Sequence, residues 1–210
     1  MQSKGDVYVV GTEEGALVKC SKAYSSQPLA TFPGHRMAVY SARWNPLHPD
    51  VFLSASADWT VKLWHAGHAD AAVMTFDMQN TVGDVAWAPF SSTVFAACTA
   101  DGHVAVYDLA QQKHRPLCTQ KVVRKARLTR LAFNPTHPVL LVGDDRGAVT
   151  SLKLSPNLRK AWPPAGGQSL VEAETARLDA VMAVALKSRV AESQQGEGAV
   201  EAAAPSAGGG

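Results

Sequence analysis

A repeat of about 44 residues is the feature that most constrains the fold of this 210-residue chain. An aromatic residue followed two positions later by proline occurs at Trp44, Trp87 and Phe133, with spacings of 43 and 46 residues. A second marker is an apolar run that starts with valine and recurs every 43–45 residues, with copies beginning at Val7, Val51, Val94 and Val139. Two independent markers with one period indicate repeated structural units that pack on one another.

Each apolar run leads into a turn and then into another run of strand-forming residues. Asp101-Gly102 is the clearest of these turns, because glycine accepts the positive φ of a tight hairpin. The residues before each aromatic-x-Pro marker and a weaker fourth run bring the total to four short strands per repeat, which is typical of a β-propeller blade. The predicted blades cover residues 7–32, 38–76, 82–120 and 128–154.

The first and last predicted blades each contain three strands instead of four. A propeller needs at least four blades to close and usually has more. We therefore predict an all-β fold for residues 1–160, a partial propeller of three to four four-stranded blades that does not close by itself and corresponds to the C-terminal part of a longer propeller.

Composition changes near Ala161, after which Ala, Gly, Glu, Gln and Ser dominate. We predict a linker over residues 161–169, an amphipathic helix over 170–192 and a disordered tail over 193–210. Ser169-Leu170-Val171-Glu172 has the pattern of a capping box at the start of the helix. Glu174 and Arg189 interrupt its apolar stripe near the two ends. Because an isolated helix of this length is marginal in water and is tethered by a partly flexible linker, we expect it to dock weakly in this chain alone.

Charge and motif content exclude several classes of function. The net charge of +2 provides no global field that would attract nucleic acid or a membrane, and no apolar run approaches the length of a membrane span. The three cysteines follow no metal-ligand spacing, which favours reduced thiols in the cytoplasm. Phosphate-binding and hydrolase motifs are missing from the sequence, so we predict a soluble protein that is not an enzyme and has no cofactor and no metal.

Residues 5–155 resemble the WD40 family. Gly34-His35 stands 29 residues before Trp64, and the run from Ser54 to Trp64 is similar to the hairpin between the family's second and third strands. The sequence departs from the family at His65, which replaces the Asp of the Trp-Asp pair, and in the later repeats, where Gly-His is missing.

The WD40 resemblance implies a buried hydrogen-bond chain that ties the loop before a blade to a turn within it. Its members are His35, Ser54 or Ser56, Asp58 and Trp64. The competing interpretation is a Ser-His-Asp catalytic set, which requires an exposed nucleophile and an oxyanion hole. The other histidines, including His48, His65 and His68, fall in different loops, where we expect them to be solvated rather than to bind a metal.

Other stretches resemble a narrower family, the axonemal dynein intermediate chains of the outer arm, in their C-terminal half. They include Val9–Gly15, Ser56–Lys62, Val82–Pro89, Val142–Gly147 and Ser151–Lys160. The resemblance implies a non-catalytic subunit that scaffolds the motor heavy chain in the axoneme of a cilium or flagellum. It also implies the arm's other intermediate chain as a neighbour, and light chains held indirectly through an N-terminal region. The alternative is a general WD40 adaptor that binds peptides or other protein partners.

Candidate partner-binding residues lie in the loops at one end of the blades. Trp59 occupies a turn position where a WD40 repeat often has glycine, and it either anchors a partner or packs on Arg36 or Met37. The segment 121–130 contains five basic residues, which either meet an acidic partner or form a solvated loop; it has no aromatic residue on which a nucleic-acid base could stack. The remaining candidates are Asp101, His103, Lys121, Arg124, Lys125 and Arg127.

Overall fold

The computed structural model describes residues 6–23, 26–159 and 169–201, with side chains as far as Arg189. Most of the predicted linker and residues 202–210 lie outside this part of the chain. The fourteen described strands are β1 Val7–Gly11, β2 Leu17–Ser21, β3 Ala30–Phe32, β4 Val39–Trp44, β5 Val51–Ser56, β6 Thr60–His65, β7 Met74–Asp77, β8 Val82–Trp87, β9 Val94–Thr99, β10 His103–Asp108, β11 Cys118–Lys121, β12 Leu128–Phe133, β13 Val139–Asp144 and β14 Val149–Lys153. A 3-10 helix spans Pro156–Arg159, and the α-helix α1 spans Leu170–Glu201.

The strands pair antiparallel, in chain order, into four sheets. Sheet 1 contains β1–β3, sheet 2 contains β4–β7, sheet 3 contains β8–β11 and sheet 4 contains β12–β14. The two middle sheets have four strands and the two outer sheets have three, as predicted from the repeat. The all-β, partial propeller fold is confirmed.

The hydrophobic core lies between neighbouring sheets. Strand β5 is buried along its whole length because its alternate side chains enter different cores, Val51 and Leu53 toward sheet 3 and Phe52 toward sheet 1. Strand β9 is buried in the same way between sheets 2 and 4. The outer sheets have a neighbour on one face, which explains the exposure of Leu141 in β13 and Val149 in β14.

The first strands of sheets 2, 3 and 4 lie next to one another, and each contains a β-bulge at its start. In β8 the extra residue is Gly83, and a Cβ atom at that position would lie 2.3 Å from the carbonyl oxygen of Leu128 in β12. Glycine is therefore required here, because only a residue without a side chain lets the two inner strands approach this closely.

Helix α1 begins where the sequence predicts. The predicted capping box forms: the Ser169 amide donates to the Glu172 carboxylate at 3.0 Å, and the Glu172 amide donates to the Ser169 hydroxyl at 3.3 Å. The helix continues to Glu201, nine residues beyond its predicted end and into the segment expected to be disordered. Once a helix has started, each added residue gains a hydrogen bond. Gln, Glu and Ala in this stretch favour the extension, whereas Gly196 and Gly198 oppose it. In the described part of the chain, no helix combines the length and apolar character needed to cross a membrane.

The contacts of α1 with the sheets are more extensive than the expected weak docking. Leu178, Val181 and Met182 are buried in the core shared by sheets 2 and 3. Thr175 donates from its hydroxyl to the Leu47 carbonyl at 3.0 Å. The helix therefore lies across the boundary between these two sheets.

The two polar residues that interrupt the apolar stripe of α1 anchor it. The Glu174 side chain is buried, and its Oε2 accepts the Ser92 amide at 2.6 Å and lies 3.1 Å from the Ser91 hydroxyl. Arg189 donates to the carbonyls of Ala71 and Ala72 at 3.2 and 3.0 Å. Glu174 thus binds a loop of sheet 3 and Arg189 a loop of sheet 2, which is why neither residue weakens the docking.

We expect Glu174→Gln to lower the free energy of unfolding of the chain by about 1.5–3 kcal/mol, because it replaces charge-assisted hydrogen bonds in a buried site with an amide whose NH₂ faces other donors. Glu172→Gln is the matched control, since glutamine preserves an exposed capping box. Chemical denaturation of both variants checks this, and an equal, small effect of the two substitutions would show that Glu174 does not anchor the helix.

Candidate functional site

Consecutive antiparallel strands place their connections at alternating ends of the sheets. One end, called the turn end, carries the hairpin turns at residues 12–15, 57–59, 100–102 and 145–147 together with the connections between sheets at 33–38, 78–81 and 122–127. The opposite end carries the loops bound by α1 and is called the helix end. All candidate partner-binding residues lie at the turn end or on strand residues beside it.

A buried hydrogen-bond chain connects the loop before sheet 2 to the β5–β6 turn. His35 Nδ1 lies 2.9 Å from Asp58 Oδ2, and His35 Nε2 lies 2.6 Å from Ser54 Oγ. The Trp64 indole donates to the same Ser54 oxygen at 2.8 Å. Since the ionised Asp58 carboxylate can only accept, the neutral imidazole carries its proton on Nδ1, and the Ser54 hydroxyl donates to Nε2.

Two further hydroxyls support this chain. Thr60, which the sequence analysis did not single out, donates to Asp58 Oδ1 at 2.6 Å and lies 3.1 Å from His35 Nδ1. Ser56 does not contact His35; it donates to the Met37 carbonyl at 3.0 Å and accepts the Asp58 amide at 3.1 Å. Threonine two positions after a turn aspartate is the sequence signal that could have identified the first of these contacts.

The two titratable members of the hydrogen-bond chain differ in charge: His35 is neutral and Asp58 is ionised. Burial lowers the pKa of His35, and this effect exceeds the raising effect of Asp58, so the imidazole is neutral near pH 7. Burial by itself would raise the pKa of Asp58, but hydrogen bonds from Thr60, the Arg36 amide and His35 hold it at about 2. The result is an ionised carboxylate whose lone pairs are used inside the protein.

This geometry does not suit nucleophilic catalysis. Ser54 and Trp64 are completely buried, so a substrate has no access to the Ser54 hydroxyl. The Ser54 oxygen also accepts a hydrogen bond from the indole, and the Asp58 carboxylate is used by Thr60 and the Arg36 amide. The arrangement fixes the loop 33–38 on the 57–59 turn and thereby orients the turn-end side chains of sheet 2.

Trp59 has the backbone conformation that glycine adopts in the other three hairpins. Its φ is 71°, and the corresponding glycines, Gly15, Gly102 and Gly147, have φ values of 94°, 89° and 84°. A left-handed conformation costs a residue with a side chain about 1–2 kcal/mol. The Trp59 side chain remains 55% exposed, so packing on Arg36 or Met37 covers less than half of it.

The other predicted partner-binding residues are distributed along the turn end. Arg36 is exposed, and Met37 is 53% exposed, in the loop before sheet 2. Asp101 and His103 pair with each other at 2.7 Å beside the β9–β10 turn. The four basic residues Lys121, Arg124, Lys125 and Arg127 are all exposed on the segment that leads from sheet 3 to sheet 4.

Three histidines that were expected to be solvated in separate loops come together at the helix end. His48 is buried, and its Nε2 lies 3.0 Å from Asp179 Oδ1 on α1. The His65 ring lies 6.4 Å from that of His48 and 5.0 Å from that of His68. Folding of α1 onto the sheets buries His48, which the spacing of histidines along the chain does not reveal. The part of the chain that the structure describes contains no group of His, Cys, Asp or Glu side chains arranged to hold a metal ion.

Asp84 is a second functional side chain that sequence reasoning missed. It is fully buried in β8, where it accepts the Leu131 amide of β12 at 3.1 Å and lies 3.6 Å from the Arg43 guanidinium of β4. One carboxylate thus connects the inner strands of three sheets. The available sequence signal is the carboxylate of Val82-Gly83-Asp84, because the other repeats have no carboxylate at the corresponding positions.

The aromatic residues of the three aromatic-x-Pro markers line a common cavity of about 330 Å³ at the helix end of the inner strands. The Trp87 indole donates to the Arg43 carbonyl of the preceding sheet at 3.0 Å. The Trp44 indole N–H is buried and has no partner among the described residues. The repeat therefore reproduces the position of the ring but not its hydrogen bond.

We expect His35→Ala to cost about 1–3 kcal/mol of unfolding free energy, because it leaves the buried Ser54 hydroxyl without its acceptor and removes one of the two donors to Asp58 Oδ2. His103→Ala removes an exposed ion pair and should cost about 0–1 kcal/mol. The yield of soluble protein and the denaturation midpoint of both variants provide the comparison. Equal losses would argue against a buried chain centred on His35.

Stability should also fall as the pH is lowered. The folded pKa of His35 lies below its unfolded value of about 6.5, so the unfolded state binds protons first and stability is lost below that pH at no more than about 1.4 kcal/mol per pH unit. Asp58 adds a further loss between its unfolded pKa of about 4 and its folded pKa of about 2. Denaturation of wild type and His35→Gln at pH 7.5 and 5.5 tests the first part. Wild type should lose more stability, and parallel losses would contradict the prediction.

The fold and site can be compared with known proteins. Residues 4–154 match the family model described as the Dynein axonemal intermediate chain 3 WD40 domain. The chain is 55% identical to the 78 kDa intermediate chain of the flagellar outer arm dynein of Chlamydomonas reinhardtii, over 90% of the chain and 28% of that protein. It is 55% identical to the ciliary dynein intermediate chain 2 of Heliocidaris crassispina, over 85% of the chain and 26% of that protein.

It is also 50% identical to the dynein axonemal intermediate chain 1 of Bos taurus, over 84% of the chain and 26% of that protein. The chain thus spans about a quarter of the length of the relatives it matches. A match that covers 90% of 210 residues extends beyond the sheets into α1. The chain therefore belongs to the WD40-domain family of axonemal dynein intermediate chains.

Proposed function

We propose that the protein is a non-catalytic intermediate-chain subunit of an axonemal outer-arm dynein, located in the cytoskeleton of a cilium or flagellum, where it scaffolds the motor heavy chain. The observation that carries the proposal is the 50–55% identity to flagellar, ciliary and axonemal dynein intermediate chains over 84–90% of the chain. Its partners are the heavy chain and the other intermediate chain of the arm. Light chains join indirectly, through a region outside this chain.

The heavy chain binds at the turn end of the sheets in this proposal. Helix α1 already covers the boundary of sheets 2 and 3 at the helix end. At the turn end, Met37 and Trp59 are each more than half exposed, and their loops are joined through Ser56 and Asp58. A rigid, exposed aromatic beside a flexible thioether is a suitable anchor for a protein partner.

The strained backbone of Trp59 supports this assignment. Three of the four hairpins have glycine at the position, so the fold does not need a side chain there. Tryptophan adds a conformational cost that glycine would avoid, and more than half of its surface stays exposed in this chain. A gain made in a complex, where a partner covers the indole, accounts for the residue.

Trp59→Gly separates binding from stability and tests the proposed function. Because relief of the left-handed strain opposes the loss of the indole's partial burial, we expect the unfolding free energy of the variant to stay within about 1 kcal/mol of wild type. Loss of a buried aromatic anchor costs about 2 kcal/mol or more, which is about a 30-fold weaker association with the heavy chain. The measurement is co-purification of the dynein heavy chain with tagged wild type and variant, quantified by mass spectrometry.

Arg124→Ala is the control at the same end of the sheets, since a rim charge affects association rate more than affinity. It should reduce the recovered heavy chain less than Trp59→Gly does. Unchanged recovery with Trp59→Gly would place the binding surface elsewhere, and the lack of any heavy chain with wild type would overturn the proposed function itself.

A further inference from the structure

We propose that the segment Lys121–Arg127, called the basic loop, binds an acidic polypeptide segment at the turn end of sheets 3 and 4. This inference goes beyond the proposed function, because it concerns a contact distinct from the Trp59 anchor and does not require the heavy chain to be the partner. It rests on the way the fold holds this loop and on the charges that surround it.

The backbone of the basic loop is attached at both ends. The amides of Val122 and Val123 donate to the Gly102 carbonyl at 2.8 and 3.4 Å. At the other end, the Arg127 amide donates to Asp145 Oδ1 at 3.0 Å, and the Asp145 amide donates to the Arg127 carbonyl at 3.0 Å. The loop is therefore fixed between two hairpin turns, and little backbone entropy remains to be lost on binding.

The side chains of the basic loop divide by polarity. Val122 and Val123 are half-buried against the core between sheets 3 and 4. Lys121, Arg124, Lys125 and Arg127 point outward, and none of their side chains forms an ion pair with another residue in the described ranges. The apolar residues thus attach the loop, and four unpaired cations form its surface.

The carboxylates nearest to the loop are already used by other donors. Asp101 accepts from Thr99 and His103, and Asp144 accepts the amides of Arg146 and Ala148. Asp145 accepts the Arg127 amide. These three acids pair with no Lys or Arg side chain of the described residues, and they are outnumbered by five cations, so the surface around the loop is positive. The cations are Lys121, Arg124, Lys125, Arg127 and Arg146.

This chemistry favours a carboxylate-rich polypeptide over other anions. The basic loop contains no aromatic side chain on which bases could stack, so single-stranded nucleic acid gains only its phosphate contacts. The loop also presents no exposed large apolar side chain that could insert into an anionic membrane. Arg124 and Arg127 can bind carboxylates in bidentate geometry, as can the neighbouring Arg146.

Zero-length carbodiimide crosslinking of the native assembly tests the proposal, because it joins a lysine amine to a carboxylate in direct contact. We expect Lys121 or Lys125 to crosslink to Asp or Glu residues of another polypeptide. Lys113 is the control, since it lies in the β10–β11 connection at the helix end of the same sheet. Crosslinks at Lys113 and none at the basic loop would overturn the proposal.

Charge reversal gives a second, quantitative test with the purified full chain, in which no subunit of the native assembly occupies the basic loop. The probe is a fluorescent 20-residue polyglutamate peptide, and the variants are Arg124→Glu with Lys125→Glu and, as matched control, Lys113→Glu with Arg115→Glu. We expect the first pair to weaken binding at least tenfold in 50 mM salt and the control pair to leave it unchanged. Binding of wild type should also weaken as salt is raised to 200 mM.

The remaining outcomes decide against the proposal. Equal loss in both double variants would show that polyglutamate senses overall charge. Tighter binding of the purified full chain to a 20-nucleotide single-stranded DNA or to phosphatidylserine vesicles, lost in the basic-loop variant, would assign the loop to a nucleic acid or a membrane. Co-purification of the heavy chain, measured in parallel, reports on the proposed function and separates its failure from failure of this inference.

Discussion

The burial of both faces of a sheet is the constraint on which the rest of this structure depends. A strand such as β5 sends Val51 and Leu53 to one neighbour and Phe52 to the other, so a sheet of this kind cannot complete its core without a sheet on each side. Close approach of the inner strands follows from this packing, and it accounts for Gly83 and for the buried Asp84 that spans three sheets. Polar side chains inside the stack are tolerated because every carboxylate described there has donors around it.

The hydrogen-bond chain at His35 transfers this rigidity to the surface. Ser54 and Trp64 belong to the buried strands, whereas Asp58 and the Arg36 amide belong to the turn end, and His35 connects the two groups. The exposed side chains of Met37 and Trp59 are thus held on a backbone whose position is determined in the core. A surface prepared in this way loses little conformational freedom when a partner binds.

Sequence alone predicted the parts of the fold that repeat. Four sheets, their strand numbers and the capping box at Ser169 depend on local patterns that recur or that span four residues, and these are visible in the sequence. The contacts of α1 were not predictable in this way. His48 and Asp179 lie 131 positions apart, and Glu174 looks like an interruption of an apolar stripe until the Ser91-Ser92 loop is placed against it. Asp84 was missed because a single carboxylate in a strand has no periodic signal, and its partners on β4 and β12 are known only after the sheets are placed together. The contact of Thr60 with Asp58 is local and was visible in the sequence.

Helix α1 has a mechanical consequence for the stack of sheets. Two neighbouring sheets that meet along one apolar boundary can rotate about that boundary, and a force that pulls their edges apart at one end favours such a rotation. Glu174 is attached to sheet 3 and Arg189 to sheet 2, with the apolar residues of the helix inserted between these attachments. The helix therefore opposes rotation of sheets 2 and 3 about their common boundary and holds the two sheets together as one unit.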